Sequence, residues 1–450
     1  MTGRTARIAL VAVVALEAIA FVVVLHRPGI RHHTVWLQSV ALPLYLAALV
    51  LLPRTGLAAR RAAQVVLAVG VVLQLVALTV GPLASDDDYR YAWDAKVQLA
   101  GIDPYRYAPD AAQLTRLRDS FLFPDLARCH WPLSDGACSA INRPGVHTVY
   151  PPMAQLAFTL IRLVSFGGHG NHLPLQLAAA LGAISVSLLL VRRALRDGRP
   201  IWTVAVWAWC PITVLELGNG AHIDWLATLL VVLALMAAGA RRSGLAGVFS
   251  GAAIAVKFYP ALVLPALLRR RPVLVVVLAS ATVALSYLPH VLAVGTEVIG
   301  FIPGYLQEES YSSGGRFLLL GVVLPSELAA VAAVVVLSAT AWWVARRVDP
   351  DAPEHGAVVM VGVAMLVTTP QFGWYTLMLL ALVAMTGTVE WLPVVIAPTF
   401  FYLLQGDFGL SATLGRTLFS VALAITLMSW AIRRARIRDQ DAAAMPAPTR

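Results

Sequence analysis

The sequence is poor in charge and has almost no lysine. Charged residues make up 13% of its 450 positions, against about 25% in an average soluble protein. Hydrophobic residues make up 59%, and Lys96 and Lys257 are the only lysines among 34 basic residues. This balance excludes a soluble domain of any size and predicts an integral membrane protein.

Several catalytic sequence motifs are missing as well. The chain has no phosphate-cradling glycine loop, no zinc-ligand spacing and no G-x-S-x-G element, which excludes nucleotide hydrolysis and serine hydrolysis. The net charge of +10 comes almost wholly from arginines in short clusters between apolar segments. Such clusters are typical of the cytoplasmic loops of membrane proteins, so nucleic-acid binding is not expected.

Apolar segments recur along nearly the whole chain and predict an all-α polytopic bundle. Their lengths and the arginine clusters at their ends predict about 14 crossings, with both termini cytoplasmic. Segments 153–166 and 173–191 cannot both cross, because the arginines at 192–199 would then lie outside, so one of the two is expected to be re-entrant or interfacial. Residues 1–438 form the predicted membrane domain. Residues 439–450, rich in Ala and Pro, form a predicted disordered cytoplasmic tail.

One long polar loop, residues 84–149, interrupts the apolar pattern and is predicted to lie on the outer face. Loops of this length usually carry function or structure of their own. Cys129 and Cys138 both belong to this loop and could pair on an oxidising face, although the sequence leaves the pairing open. The third cysteine, Cys210, falls in an apolar segment.

The start of this loop contains the candidate catalytic group. Asp86, Asp87 and Asp88 follow an apolar run long enough to cross a bilayer. Repulsion between adjacent carboxylates raises the pKa of one of them, which suits a general base that takes a proton from a sugar hydroxyl. Candidate groups for binding an anionic leaving group and a sugar follow closely: Arg90, Tyr91, Trp93, Lys96 and Tyr105. The alternative is an interfacial loop whose aromatic residues form a belt.

Further polar residues fall on the same predicted face. Tyr150 lies where the chain re-enters the membrane, and it is a candidate for substrate binding. His222 and Asp224 could bind sugar hydroxyls or assist a proton, or Asp224 could simply cap the helix that follows. Lys257, between apolar segments, is a candidate for binding a lipid phosphate, with a snorkelling lysine as the alternative.

A Gly-rich segment later in the chain adds the last candidates. Glu308, Glu309 and Arg316 belong to it, and it is either a mobile gate over the site or an ordinary outer loop. Two acidic residues within or near apolar segments, Glu17 and Glu216, suggest function because such residues are costly in a membrane. The sequence assigns them no role.

These motifs resemble those of the GT-C superfamily of membrane glycosyltransferases, and of glycosyltransferase family 87 in particular. The resemblance rests on D-D-Y-R-Y-A-W-D-A-K-V-Q-L-A-G-I-D-P-Y in the loop, V-Y-P-P-M-A-Q after it, and then V-K-F-Y-P and Y-L-Q-E-E…G-G-R-F. It covers most of the chain from about residue 63 to residue 375. The G-N-G-A-H-I-D turn departs from the G-Q pair found in many relatives.

The resemblance implies a GT-C-like bundle that transfers a sugar with inversion at the outer face of the cell membrane. The implied donor is a sugar on polyprenyl phosphate, with mannose as the first choice, and the implied acceptor is a lipid-linked or cell-envelope glycan. Membrane lipid surrounds both substrates. No resident cofactor and no bound metal are implied, and a divalent cation is compatible but not required.

The resemblance also implies which aspartate is the base. In the family the catalytic aspartate precedes a tyrosine by four residues, and a glycine follows that tyrosine by about ten. Tyr91 and Gly101 fit this spacing, which points to Asp87, with Asp86 and Asp88 in reserve.

Two rival functions remain at this stage. One is a transporter or flippase of lipid-linked sugars, in which Glu17, Glu216 and Lys257 would line a pathway. Transporters usually contain paired halves with matching interrupted helices, and the sequence shows no such match. The other is a non-catalytic assembly protein, which would leave the clustering of Asp, Lys and His on one face unexplained.

Overall fold

The structure is a computed structural model that describes residues 2–27, 31–129, 131–165, 170–408 and 412–444. It is 73% helical. The helices of the first half are α1 (Gly3–Leu25), α2 (Arg31–Leu51), α3 (Ala59–Ala77), α4 (Asp87–Leu99), α5 (Pro152–Leu163), α6 (Leu173–Arg196), α7 (Trp202–Ala208), α8 (Pro211–Thr213) and α9 (Asp224–Gly239). Those of the second half are α10 (Ser243–Ile254), α11 (Leu264–Leu267), α12 (Pro272–Val294), α13 (Ile302–Glu308), α14 (Ser326–Arg347), α15 (Glu354–Thr368), α16 (Leu377–Thr386), α17 (Leu392–Phe408) and α18 (Ala412–Ala444).

Within these described ranges, seven helical regions are long and apolar enough to cross a membrane. They contain α1, α2, α3, α6, α12, α14 and α18. Five shorter apolar helices of 10–17 residues, at α9, α10, α15, α16 and α17, pack among them. The predicted all-α membrane protein is therefore confirmed, while the count of about 14 crossings stays a prediction.

Helix α5 explains the conflict in the predicted topology. It has 12 residues, or about 18 Å at 1.5 Å per residue, whereas the hydrocarbon core is about 30 Å thick. Helix α6 has 24 residues and is long enough. The structure therefore favours α5 as the segment that does not cross, although residue 166, at the predicted end of that segment, lies outside the described residues. Helix α5 packs against α4, which also belongs to the loop side.

Helix α18 is longer than the sequence predicts. It continues to Ala444 and so includes residues 439–444, which the sequence assigns to a disordered tail. Alanine has the highest helix propensity, and the three alanines at 442–444 extend the last turns. Residues 445–450 of the predicted tail lie outside the described residues.

The long loop has a small covalent staple. Strands β1 (Trp131–Pro132) and β2 (Cys138–Ser139) pair antiparallel. A disulfide joins Cys129 to Cys138 beside them, so the pairing that the sequence left open is present in the structure.

Glycines allow helices α10 and α12 to approach closely. Gly247 and Gly251 stand four residues apart on α10, in the small-xxx-small pattern that brings membrane helices together. A Cβ atom at Gly247 would lie 2.8 Å from the carbonyl oxygen of Val275, and one at Gly251 would clash with the carbonyl oxygen of Ala279. Close contact between the two backbones therefore depends on these two positions.

We expect Gly251→Ala to lower the free energy of unfolding by about 1–3 kcal/mol, the usual range for overpacking a tight contact. Gly244→Ala on the same helix is the matched control, because its Cβ would lie 3.4 Å from Leu278, an ordinary contact distance. Thermal unfolding of the detergent-solubilised protein measures both. A Gly251→Ala variant as stable as Gly244→Ala would contradict the packing argument.

Candidate active site

A cavity of about 530 Å³ opens between the long loop and the helices of the second half. Its charged lining groups include Asp86, Asp87 and Lys257, and its apolar lining includes Leu262 and Leu306. A mainly apolar cleft with a few placed polar groups is the usual form of a ligand site. This cleft is suited to a substrate that has both a polar head and an apolar chain.

Asp87 is held at the edge of this cavity by groups from three parts of the chain. The hydroxyl of Tyr150 donates to its Oδ2 at 3.2 Å, and the amide of Asn142 donates to its Oδ1 at 3.0 Å. His222 Nδ1 lies 3.8 Å from the same Oδ2. Asp87 is also the first residue of α4, where free backbone N–H groups and the helix dipole stabilise a negative charge. The side chain is thus fixed in place and partly open to the cavity.

Asp86 shares a hydrogen-bond donor with Asp87. The amide nitrogen of Asn142 donates to Asp86 Oδ1 at 2.8 Å, and the indole nitrogen of Trp131 lies 3.4 Å from Asp86 Oδ2. Burial, and then the neighbouring charge of Asp87, raise the pKa of Asp86, while the hydrogen bonds from Asn142 and Trp131 oppose that shift. The two carboxyl groups in the cavity therefore share the amide of Asn142.

Asp88 is separated from its two neighbours. Its side chain is fully buried, contacts His172 Nδ1, and does not line the cavity. The reason is helical geometry, because successive residues on an α-helix point about 100° apart. Of the three adjacent aspartates, only Asp86 and Asp87 reach the site.

Lys257 is one of the positively charged residues that line the cavity. Its Nζ donates to Asp224 Oδ2 at 2.7 Å and lies 5.1 Å from the centre of the Tyr375 ring. The hydroxyl of Tyr259 donates to the other oxygen of Asp224 at 2.9 Å. Asp224 is fully buried and does not line the cavity. It therefore holds Lys257 in position from behind, in addition to standing at the start of α9.

The other predicted cations have different places. Arg90 lines the cavity, but its Nε donates to Asp94 at 3.1 Å and its Nη2 donates to the carbonyl oxygen of Val146 at 2.9 Å. Lys96 lies outside the cavity, paired with Asp119 at 2.5 Å. Arg90 thus joins α4 to the end of the loop, and Lys96 braces the middle of the loop.

The aromatic candidates of α4 are buried behind the site. Tyr91 stacks on Phe158 of α5, with ring centres 4.4 Å apart, and Trp93 is buried in the same cluster. The hydroxyl of Tyr105 donates to the carbonyl oxygen of Tyr150 at 2.7 Å. Of the four predicted aromatic site residues, only Tyr150 lines the cavity. Tyr105 thus holds the backbone of Tyr150, Tyr91 packs against its ring, and Trp93 contacts Phe123 of the loop.

The charged candidates of the Gly-rich segment form ion pairs near the cavity and do not line it. Glu308 pairs with Arg143 at 2.8 Å, and Glu309 pairs with Arg316 at 2.8 Å. Gln371 donates to Glu309 at 2.9 Å. Burial raises the pKa of Glu309, and the charge of Arg316 partly opposes that shift. None of Glu308, Glu309 and Arg316 lines the cavity.

Residues 148–370 match the family model described as glycosyltransferase family 87. This match confirms the resemblance of the chain to glycosyltransferase family 87. No curated protein and no solved structure matches the chain significantly. The family 87 match takes in Tyr150, His222, Asp224 and Lys257, and it begins after the stretch that carries Asp86 and Asp87. It indicates glycosyltransferase activity.

Two polar side chains in the candidate site had no signal in the sequence. Asn142 bridges the two aspartates, and Trp131 approaches Asp86 from the disulfide-closed hairpin. Both come from the far end of the loop. No local spacing relates them to the aspartates, so pattern analysis could not identify them.

Aromatic side chains form one wall of the cavity. Phe372 stacks on Trp374 with ring centres 4.6 Å apart, and Tyr402 packs against both. The hydroxyl of Tyr402 also donates to the carbonyl oxygen of Ala84 at 2.6 Å. A wall of this kind can hold the face of a sugar or the first part of a lipid chain.

In the part of the chain that the structure describes, no group of three or more His, Cys, Asp or Glu side chains is placed to hold a metal ion. Asp86 and Asp87 are two acidic side chains that line the cavity.

Proposed function

We propose that this family 87 glycosyltransferase transfers a sugar, with mannose as the first choice, from polyprenyl phosphate to a lipid-linked or cell-envelope glycan. Transfer would then occur at the outer face of the cell membrane, and the configuration of the anomeric carbon would be inverted. One observation carries it. Asp87 and Lys257, an acid and a cation from distant parts of the chain, line the same largely apolar cavity.

In the proposed mechanism, Asp87 acts on the acceptor and Lys257 acts on the donor. Asp87 takes the proton from the acceptor hydroxyl as its oxygen attacks the anomeric carbon. The bond between that carbon and the phosphate oxygen breaks, and its electron pair leaves with polyprenyl phosphate. Lys257 stabilises the charge that develops on the phosphate. Attack on the face opposite the departing phosphate inverts the configuration.

The surroundings of the two groups support a lipid-borne donor. Leu262, Ile302 and Leu306 line the same cavity as the charged groups, so an isoprenoid chain can lie against apolar side chains while its phosphate reaches Lys257. The arginine clusters support outer-face transfer, because the positive-inside tendency favours a position of the long loop opposite the cytoplasm. A nucleotide sugar is not expected there. A divalent cation remains compatible with Asp86 and Asp87, and transfer in the presence of a chelator tests whether it is needed.

The rival transporter or flippase function has less support. Lys257 lines the cavity, but Glu17 and Glu216 are buried and do not line it. The three residues therefore form no common pathway through the described part of the chain.

We expect the purified protein in lipid vesicles to move radiolabel from polyprenyl-phosphate mannose to a glycolipid acceptor. It should give no transfer from a nucleotide-linked mannose in the same vesicles. NMR of the product reports the anomeric configuration, and polyprenyl-phosphate arabinose tests the next sugar. Transfer from the nucleotide sugar alone, or movement of intact lipid-linked sugar across the bilayer without a new glycosidic bond, would overturn the proposal.

A further inference from the structure

A buried histidine and glutamate lie directly behind the proposed base. His222 is fully buried, with Nδ1 3.8 Å from Asp87 Oδ2 and Nε2 3.3 Å from Glu216 Oε2. Neither ring nitrogen makes a hydrogen bond to any described residue, and Glu216 Oε2 also lacks one. Unsatisfied buried polar atoms are costly, so this row of three side chains calls for an explanation beyond packing.

The local fold holds this row in place. Glu216 lies on a π-helical turn, Val214–Asn219. This geometry is rare in proteins, but where it occurs it is often found at a functional site. Trp374 stacks on the imidazole of His222 with ring centres 4.0 Å apart and fixes the plane of the ring. A Cβ atom at Gly373 would lie 2.5 Å from Glu216 Oε1, so only glycine leaves room for this carboxylate.

The order of the three side chains suggests the direction of proton transfer, from Asp87 to His222. A buried carboxylate beside Nε2 favours the tautomer with hydrogen on Nε2, because Glu216 can only accept. Nδ1 then presents a lone pair toward Asp87. The 3.8 Å separation is longer than a hydrogen bond, but catalytic hydrogen bonds are often long in unliganded sites and shorten in the substrate complex.

We propose that Glu216 and His222 act on the reaction through Asp87, an inference that rests on the proposed function. Asp87 takes the proton from the acceptor hydroxyl and passes it to Nδ1 of His222, and Glu216 stabilises the imidazolium that forms. The electron pair of the broken bond leaves on polyprenyl phosphate, so charge balances. After product release the proton returns through Asp87 to water in the cavity. Both residues are positioning residues, because neither lines the cavity.

Other titratable groups surround these three side chains, and a variant that tests the inference must leave those groups unchanged. They are Asp86 and Tyr150 beside Asp87, and Asp224 with its partners Lys257 and Tyr259 on the elements that follow His222. Glu216→Gln leaves all of them unchanged and is nearly isosteric. Glu17→Gln is the matched control, since Glu17 is also a fully buried membrane glutamate without a hydrogen bond in the described residues.

We expect Glu216→Gln to lower kcat about 100-fold, within the range of acid–base effects, and to leave the donor KM unchanged. Removing the negative charge destabilises a proton on His222, so the low-pH limb of the kcat profile should move to lower pH. Glu17→Gln should change neither. If kcat falls but the low-pH limb of its pH profile stays where it is, or if only KM changes, the role of Glu216 is merely structural and the inference is overturned.

A second measurement does not depend on knowing the donor. In ¹⁵N-histidine NMR spectra of the solubilised protein, the signal absent from His222→Phe identifies His222, and phenylalanine keeps the stack on Trp374. We expect the Nε2–H tautomer in the wild type and its loss in Glu216→Gln. An Nδ1–H tautomer, or a spectrum unchanged by Glu216→Gln, would refute the inference. Absence of sugar transfer by the wild type would instead refute only the proposed function.

Discussion

Asp87→Asn is expected to lower the rate of sugar transfer by at least about 100-fold, and by as much as about 10,000-fold, the range for loss of a general base. Asparagine keeps the shape of the side chain and can still contact Asn142 and Tyr150, but it cannot take the acceptor proton. Binding of the donor should change little. Single-turnover transfer from polyprenyl-phosphate mannose, with donor binding measured in parallel, separates the two effects.

The neighbouring aspartates provide the controls for this variant. Asp88→Asn removes a buried carboxylate that contacts His172 and lies outside the cavity. It should lower the thermal stability but leave kcat of the folded protein close to wild type. Asp86→Asn should have an intermediate effect, because it changes the charge beside Asp87. Loss of transfer in Asp86→Asn with activity retained in Asp87→Asn would reassign the base.

Lys257→Met is expected to lower kcat by about 100- to 1,000-fold, the usual cost of removing one group that stabilises developing charge, and also to weaken donor binding. Methionine has a similar length but no charge for the phosphate. Lys96→Met is the matched control, since Lys96 is the only other lysine and pairs with Asp119 away from the cavity. It should keep nearly full activity.

Stability must be separated from catalysis in the Lys257 variant. Removing this lysine leaves Asp224 buried without its partner, and a lone buried charge is strongly destabilising. Lys257→Arg keeps the ion pair and should fold, with kcat between that of wild type and that of Lys257→Met. Equal activity of Lys257→Met and wild type, at equal folded fraction, would exclude a role for this lysine in phosphate binding.

The sequence was most informative where chemistry is local. The low charge and the apolar runs predicted the helical membrane protein, and the rarity of lysine drew attention to Lys257. The spacing around Tyr91 and Gly101 pointed to Asp87, which lines the cavity. These inferences depend on composition or on neighbours along the chain.

The sequence was least informative about side-chain direction and long-range contacts. Tyr91 and Trp93 resembled sugar-binding aromatics, yet both are buried: Tyr91 stacks on Phe158 of α5, and Trp93 packs against Phe123 of the loop. Asp88 directly follows Asp87, and the rotation of about 100° between successive helical residues turns its side chain away from the cavity. Asn142 reaches the aspartates from a part of the loop more than 50 residues later. Such contacts depend on the fold and not on a local pattern.

The hydrogen bond between Tyr402 and Ala84 has a consequence for the biosynthesis of the enzyme. It joins residues 318 positions apart, one just before the aspartates and the other in the penultimate helix. At a translation rate of about 5–20 residues per second, roughly 20–60 seconds pass between the synthesis of the two ends of this bond. During that interval the nascent chain carries the carboxylates but lacks Tyr402, the last member of the aromatic wall to be made. The cavity is therefore completed only after Tyr402 has been synthesised, and a chain terminated before this residue has the acid without the complete wall.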